Sequence, residues 1–177
     1  MNKTFAAICS VLLLAGCGGA AAPEPRSYDL GLEAPAAKLS GARIGTVRGV
    51  APFDGTDMQY RLAYRNAAEV ASYANSRWAA TPAEMFRKQL QRAATDGGKC
   101  VLAVEIQEFT QVFSAKDASE ARLELRASLS SGAAKQFSVA EANAGSDAVG
   151  GASALARASN RAIGELGAWI AAQPGCR

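Results

Sequence analysis

From Arg122 to Leu129 the chain alternates without a break: Leu123, Leu125, Ala127 and Leu129 point one way, and Arg122, Glu124, Arg126 and Ser128 the other. A period of two side chains is the signature of a strand with one dry face and one wet face. Such a strand cannot stand alone, because its apolar face needs a cover. The segment before it repeats the demand. Cys100 to Phe113 is expected as a long strand, with Leu102, Val104 and Ile106 on one side and Glu105 and Gln107 on the other. Ser114 to Ser119 reads as the hairpin connection, Ser131-Gly132 as the next turn, and Phe137 and Val139 as a short third strand. The chain is thereby committed to an antiparallel meander laid against apolar partners.

Two helical segments can supply that cover. Thr81-Pro82-Ala83-Glu84 is a helix start on physical grounds: Thr at the cap, Pro at the first helical position where no amide donor is missed, and Glu at N3. Met85, Phe86, Gln89, Leu90 and Ala93 then share a face, and Gly97-Gly98 is the expected stop. From Asp147 to Ile170 apolar residues recur at three- and four-residue steps, and Pro174-Gly175 ends the run. Gly150-Gly151 in its first turn reads as a flexible helix entry, the alternative being backbone amides facing an anion.

Further upstream, Tyr28-Asp29-Leu30 is a short expected strand before Pro35-Ala36-Ala37. Ile44 to Val50 is another, closed by Pro52 and Asp54-Gly55. Gln59 to Arg65 alternates, with Tyr60, Leu62 and Tyr64 on one face and Arg61 and Arg65 on the other. Val70 to Trp78 returns beside it as a strand, although its alanines also permit a short helix. The expected fold is therefore α/β: a single domain with a mixed β-sheet flanked by two main helices, layered like anticodon-binding domains or the N-terminal domain of TolB.

The first residues are an address rather than structure. Asn2 and Lys3 form a short positive head, Phe5 to Leu14 an almost wholly apolar run, and Leu14-Ala15-Gly16 leads into Cys17. This is the pattern of a bacterial secretion signal with a lipidation site. The run is about half of the roughly 20 residues a membrane-spanning helix needs. The expected organisation is a signal over residues 1–16, a lipidated tether over 17–26 rich in Gly, Ala and Pro, and one domain over 27–177.

Composition narrows the chemistry. There is no histidine among the 177 residues, which removes the commonest general base and metal ligand together with every imidazole triad. With two cysteines left after Cys9 and Cys17 are assigned to signal and lipid, a usual zinc site is excluded, and no metal or cofactor is expected beyond the covalent lipid. Secretion places Cys100 and Cys176 in an oxidising compartment, where a disulfide is expected, the alternative being two unpaired thiols. Nineteen Lys and Arg against 16 Asp and Glu is too even for a nucleic-acid binder, all the more because Lys3 leaves with the signal.

No glycine-rich phosphate loop is present, and Ser153 lacks both the second glycine of a nucleophile elbow and a histidine to activate it. Glu105, Glu108, Glu120 and Glu124 resemble glycosidase carboxylates only by proximity. Arg122 and Arg126 lie among them, so cross-strand ion pairing on a wet face accounts for them better. The aromatic group Tyr60, Tyr64, Tyr73 and Trp78 is either core or a partner or lipid contact, with Arg77 beside it. The contact candidates are Tyr60, Tyr64, Trp78 and Arg77.

The ordered set of Cys17, Tyr28-Asp29-Leu30, Val47 to Gly55 with Pro52 and Asp54-Gly55, Tyr60-Arg61, Arg77-Trp78-Ala79 with Pro82, the strand from Val101, and a closing helix with Trp169 resembles the ABC-transport auxiliary lipoproteins. That family is typified by the paraquat-inducible protein C lipoprotein. The resemblance implies a non-enzymatic lipoprotein serving an MCE-type phospholipid or organic-solvent transport system, docked on an MCE-domain conduit protein whose inner-membrane ABC transporter hydrolyses ATP. It also admits a homo-oligomeric ring around the conduit, and transfers no catalytic residue. Gly18, where a retention signal would place Asp, implies the outer membrane, facing the periplasm. A structural lipoprotein that assists assembly of another outer-membrane protein is the alternative, and a periplasmic hydrolase a distant third.

Overall fold

The computed structural model describes residues 24–142 and 145–176. The expected signal, Cys17 and the tether as far as residue 23 lie outside them. Seven strands, β1 (Arg26–Tyr28), β2 (Ala42–Gly49), β3 (Asp57–Leu62), β4 (Ala71–Trp78), β5 (Cys100–Phe113), β6 (Ser119–Leu129) and β7 (Ala134–Ala142), make one mixed sheet. The helices are α1 (Ala63–Asn66), α2 (Pro82–Ala93) and α3 (Ala148–Ala171), followed by a 3-10 turn at Pro174–Cys176.

The expected meander forms the spine of this sheet. β6 runs antiparallel to β5 from Leu102 opposite Leu129 to Phe113 opposite Ser119, and β7 continues antiparallel to β6. The other edge of β5 is shared by two parallel strands set end to end. β2 lies beside Cys100 to Ile106, and β3 beside Gln111 to Phe113. β4 then pairs antiparallel with β3, and β1 parallel with β4.

The alternation settles which face is covered. Leu102, Val104, Ile106, Leu123, Leu125, Ala127 and Val139 share one buried cluster with Phe86 and Leu90 of α2 and with Leu155, Ile163 and Leu166 of α3. The opposite face carries Ala103, Glu105, Gln107, Arg122, Glu124, Arg126 and Ser128, none of them buried. A bulge at Gln107 shifts the register of β5, and beyond it the strand is buried on both faces, Phe109, Gln111 and Phe113 on one and Thr110 and Val112 on the other.

Several boundaries depart from the local reading, each for a physical reason. β3 stops at Leu62, and Tyr64 and Arg65 sit in α1 rather than on the strand. The reversal into β4 forces this, since Ala71 must return opposite Tyr60, and Asn66 closes the turn by accepting from the Ala68 and Glu69 amides. β1 is Arg26–Tyr28 rather than Tyr28 to Leu30, because the Asp29 carboxylate accepts the Gly31 N–H at 2.8 Å and bends the chain. α2 ends at Ala93, before Gly97-Gly98: Ala94 turns extended and bridges Leu39, whose N–H donates to the Ala93 carbonyl and whose carbonyl accepts from Thr95. The Thr81 start forms as its sequence dictates, with Thr81 Oγ1 accepting the Glu84 N–H and the Glu84 carboxylate accepting the Thr81 N–H. Val70 to Trp78 resolves as a strand, and β7 runs nine residues, longer than Phe137 and Val139 alone imply.

Candidate functional site

The four expected contact residues are spread over β3, α1 and β4 rather than gathered on one surface. Trp78 is 1% exposed and meets the Phe109 ring edge-on at 5.3 Å, which makes it core and removes it as a contact. Tyr60 is half-buried, with its ring 4.7 Å from Tyr73 and 6.1 Å from Phe113. Tyr64 stands exposed on α1. Arg77 is exposed at the other end of the β3–β4 ladder, opposite Asp57, with its Nε 3.5 Å from Ser27 Oγ.

Three of the four carboxylates are held by arginines, as the sequence implies, but only Glu120 by one of the expected pair, Arg122. Glu108 receives Arg61 in a bidentate pair, Nε to Oε1 at 2.8 Å and Nη2 to Oε2 at 3.0 Å, and this bond raises the already high pKa of the guanidinium further. Glu105 pairs with Arg48, and Glu120 with Arg122 on its own strand. Arg48 and Arg61 come from β2 and β3, whose placement beside β5 no local pattern announces. A carboxylate locked into a bidentate pair is an acceptor and a brace, not a free acid.

The entry of α3 is a packed junction. Asp147 caps it, Oδ1 accepting the Gly150 N–H at 2.8 Å, so the first turn already faces a carboxylate. A Cβ at Gly151 would lie 2.1 Å from Gln111 Oε1. That oxygen accepts the Tyr73 hydroxyl at 2.8 Å, while Gln111 Nε2 donates to Ser119 Oγ at 3.0 Å. Burial, then the neighbouring Tyr60 and Asp147, pushes the Tyr73 phenol well above its ordinary value. Gly150-Gly151 is thus a close-approach site, neither a flexible entry nor an open anion cradle. Ser153 accepts from Arg157 Nη1 at 3.0 Å and has no base beside it.

Cys100 and Cys176 are joined as a disulfide, with Cα atoms 5.0 Å apart and a separation of 76 positions in sequence. Both are 2% exposed. Among the described residues no group of three or more His, Cys, Asp or Glu could hold a metal ion, and no helix is long and apolar enough to cross a membrane.

Two of the concave features flank one segment that sequence reasoning took only as a short strand. Asp29, Leu30 and Gly31 wall a cavity of about 300 Å³ against Met85, Lys88 and Gln89 of α2. On its other side the same segment, with Tyr28 and Leu32, lines a groove of about 600 Å³ against Val149, Ala152 and Ala156 of α3. Leu32 is 86% exposed and Val149 49%. The available signal was a lone leucine between Gly31 and Glu33, an apolar residue in a polar turn.

No family model and no curated protein matches this sequence. Among solved structures the chain is similar to protein XCC0632 from Xanthomonas campestris, described under the family model DUF330, with a TM-score of 0.68 at 19% identity over 81% of this chain and 93% of that one. A second, uncharacterized protein is similar with a TM-score of 0.62 at 13% identity, over 84% of this chain and 99% of that one. At these identities the likeness is one of fold: a single α/β domain with a mixed seven-stranded sheet.

Proposed function

We propose that this chain is a periplasm-facing accessory lipoprotein of the outer membrane that acts by docking or scaffolding the conduit of an MCE/ABC lipid or solvent transport system, without catalysis of its own. The observation that carries the reading is Cys17 at the end of a lipobox, only nine residues before β1 begins at Arg26. A domain tethered so closely works at a high local concentration of whatever shares its membrane. The side chains support a binding rather than a chemical role: the wet face of the sheet is braced by arginine–carboxylate pairs, and the half-buried Tyr73 phenol donates to Gln111 Oε1.

Affinity purification of the tagged full-length chain from native membranes tests this directly. An MCE-domain protein and its permease should co-purify, and Cys17→Ala should release the protein in soluble form and weaken that recovery. Recovery of an unrelated outer-membrane protein in their place would move the assignment to the assembly-factor alternative.

A further inference from the structure

Leu32 and Val149 are two of the large hydrophobic side chains left exposed among the described residues, and they wall the same groove. The others, Tyr64 on α1 and Val101 on the wet side of β5, lie apart from it. Single exposed apolar residues need no explanation, but two on the rim of one apolar groove mark a contact surface. The backbone presenting Leu32 is fixed. Asp29 holds the Gly31 N–H, and Arg92 Nη1 reaches the carbonyls of Gly31 and Leu32 at 3.4 and 3.2 Å, so the leucine side chain is held outward.

The chain enters the domain beside this groove. Glu24 and Arg26 line an adjoining depression that shares Tyr28 and Val149 with it. From Cys17 to Glu24 is seven residues, which reach about 25 Å at most when fully extended. A domain of this size is about 40 Å across. A lipid on Cys17 therefore cannot hang the domain by its far side. The edge nearest the anchor is the edge that carries Leu32 and Val149.

We propose that this edge is the membrane-contacting surface of the domain, Leu32 and Val149 entering the acyl boundary of the leaflet in which Cys17 is anchored. The inference rests on the lipidation of Cys17. Charge on the rim is mixed, Asp29 and Glu33 against Arg157, so the contact is apolar and insensitive to salt. It also sets orientation, leaving the wet face of the sheet free for a protein partner.

The test uses the full-length lipidated chain, reconstituted in phosphatidylethanolamine-rich vesicles, with an environment-sensitive fluorophore on Leu32→Cys, Val149→Cys or, as control, Val101→Cys. Phospholipids brominated on their acyl chains should quench the probes at 32 and 149 by about twofold and leave the probe at 101 unchanged, at low and high salt alike. Probes at 32 and 149 that stay unquenched overturn the proposal. A blue shift without bromolipid quenching also overturns it, because the edge is then covered by protein, a second copy included. The intact mass of the same preparation separates the two layers of the argument. A chain without lipid on Cys17 overturns the anchor and this inference with it, whereas an acylated chain with unquenched probes overturns this inference alone.

Discussion

A methyl group on residue 151 would press to 2.1 Å from Gln111 Oε1, inside a network that holds the Tyr73 hydroxyl, the Gln111 amide and Ser119 together. Gly151→Ala should therefore destabilise the fold by about 1–3 kcal/mol in chemical denaturation, since a filled junction admits no extra carbon without displacement. Gly164→Ala is the contrast, because there the new carbon makes an ordinary contact at 3.7 Å with Ala37, and the same helix should gain up to about 1 kcal/mol. Tyr73→Phe removes the donor to a buried oxygen and should lose about 1–3 kcal/mol. The sign of its pH dependence follows from burial. The folded state raises the Tyr73 pKa, so its contribution is complete below the ordinary phenol value of 10.0 and declines as pH rises past it. Stability measured through that range should fall more steeply in the native sequence than in Tyr73→Phe. At this scale the sequence revealed the glycines but not their reason, because Gln111 lies 40 residues away and looks like any polar side chain on a strand.

Elements were legible where their determinants are local. The α2 start is written in Thr81, Pro82 and Glu84, and the full capping box forms. Thr81→Ala should cost about 0.5–2 kcal/mol by thermal or chemical melting. The same bonds hold the Glu84 carboxyl below its usual range, so the contribution is present at neutral pH and is lost as pH falls through that lowered value. The end of α2 was not legible, because Leu39, more than fifty residues upstream, extracts Ala94 into a bridge before the glycines arrive. The edge of β7 is another element that only packing explains. Arg157 Nη2 and Arg161 Nη2 of α3 reach the carbonyls of Ala142 and Ala140 at 2.6 and 2.7 Å, occupying acceptors that would otherwise template another strand. Replacing both arginines with alanine should increase self-association, read by light scattering on mild heating, with little change in monomer secondary structure.

For the molecule as a whole, the Cys100–Cys176 bridge ties the C-terminal turn to the first residue of the central strand. Replacing both cysteines with alanine should lower unfolding free energy by about 2–5 kcal/mol, read from the denaturant midpoint, because a long loop regains its freedom in the unfolded chain. The sequence by itself determined the layered α/β class, the dry and wet faces of β6 and of β5 as far as Gln107, and the α2 cap. Each of these rests on residues within a few positions of one another, where periodicity and capping chemistry act directly. Tertiary structure alone decided that β2 and β3 share one edge of β5, that Arg48 and Arg61 answer Glu105 and Glu108, that Trp78 is core, and that Leu32 and Val149 meet across a groove. Backbone donors and acceptors are the same along every strand, so a pattern of side chains states which face is buried but not which strand lies alongside. Leu32 and Val149 stand more than a hundred positions apart in sequence, and only the packing of the folded domain brings them to one groove.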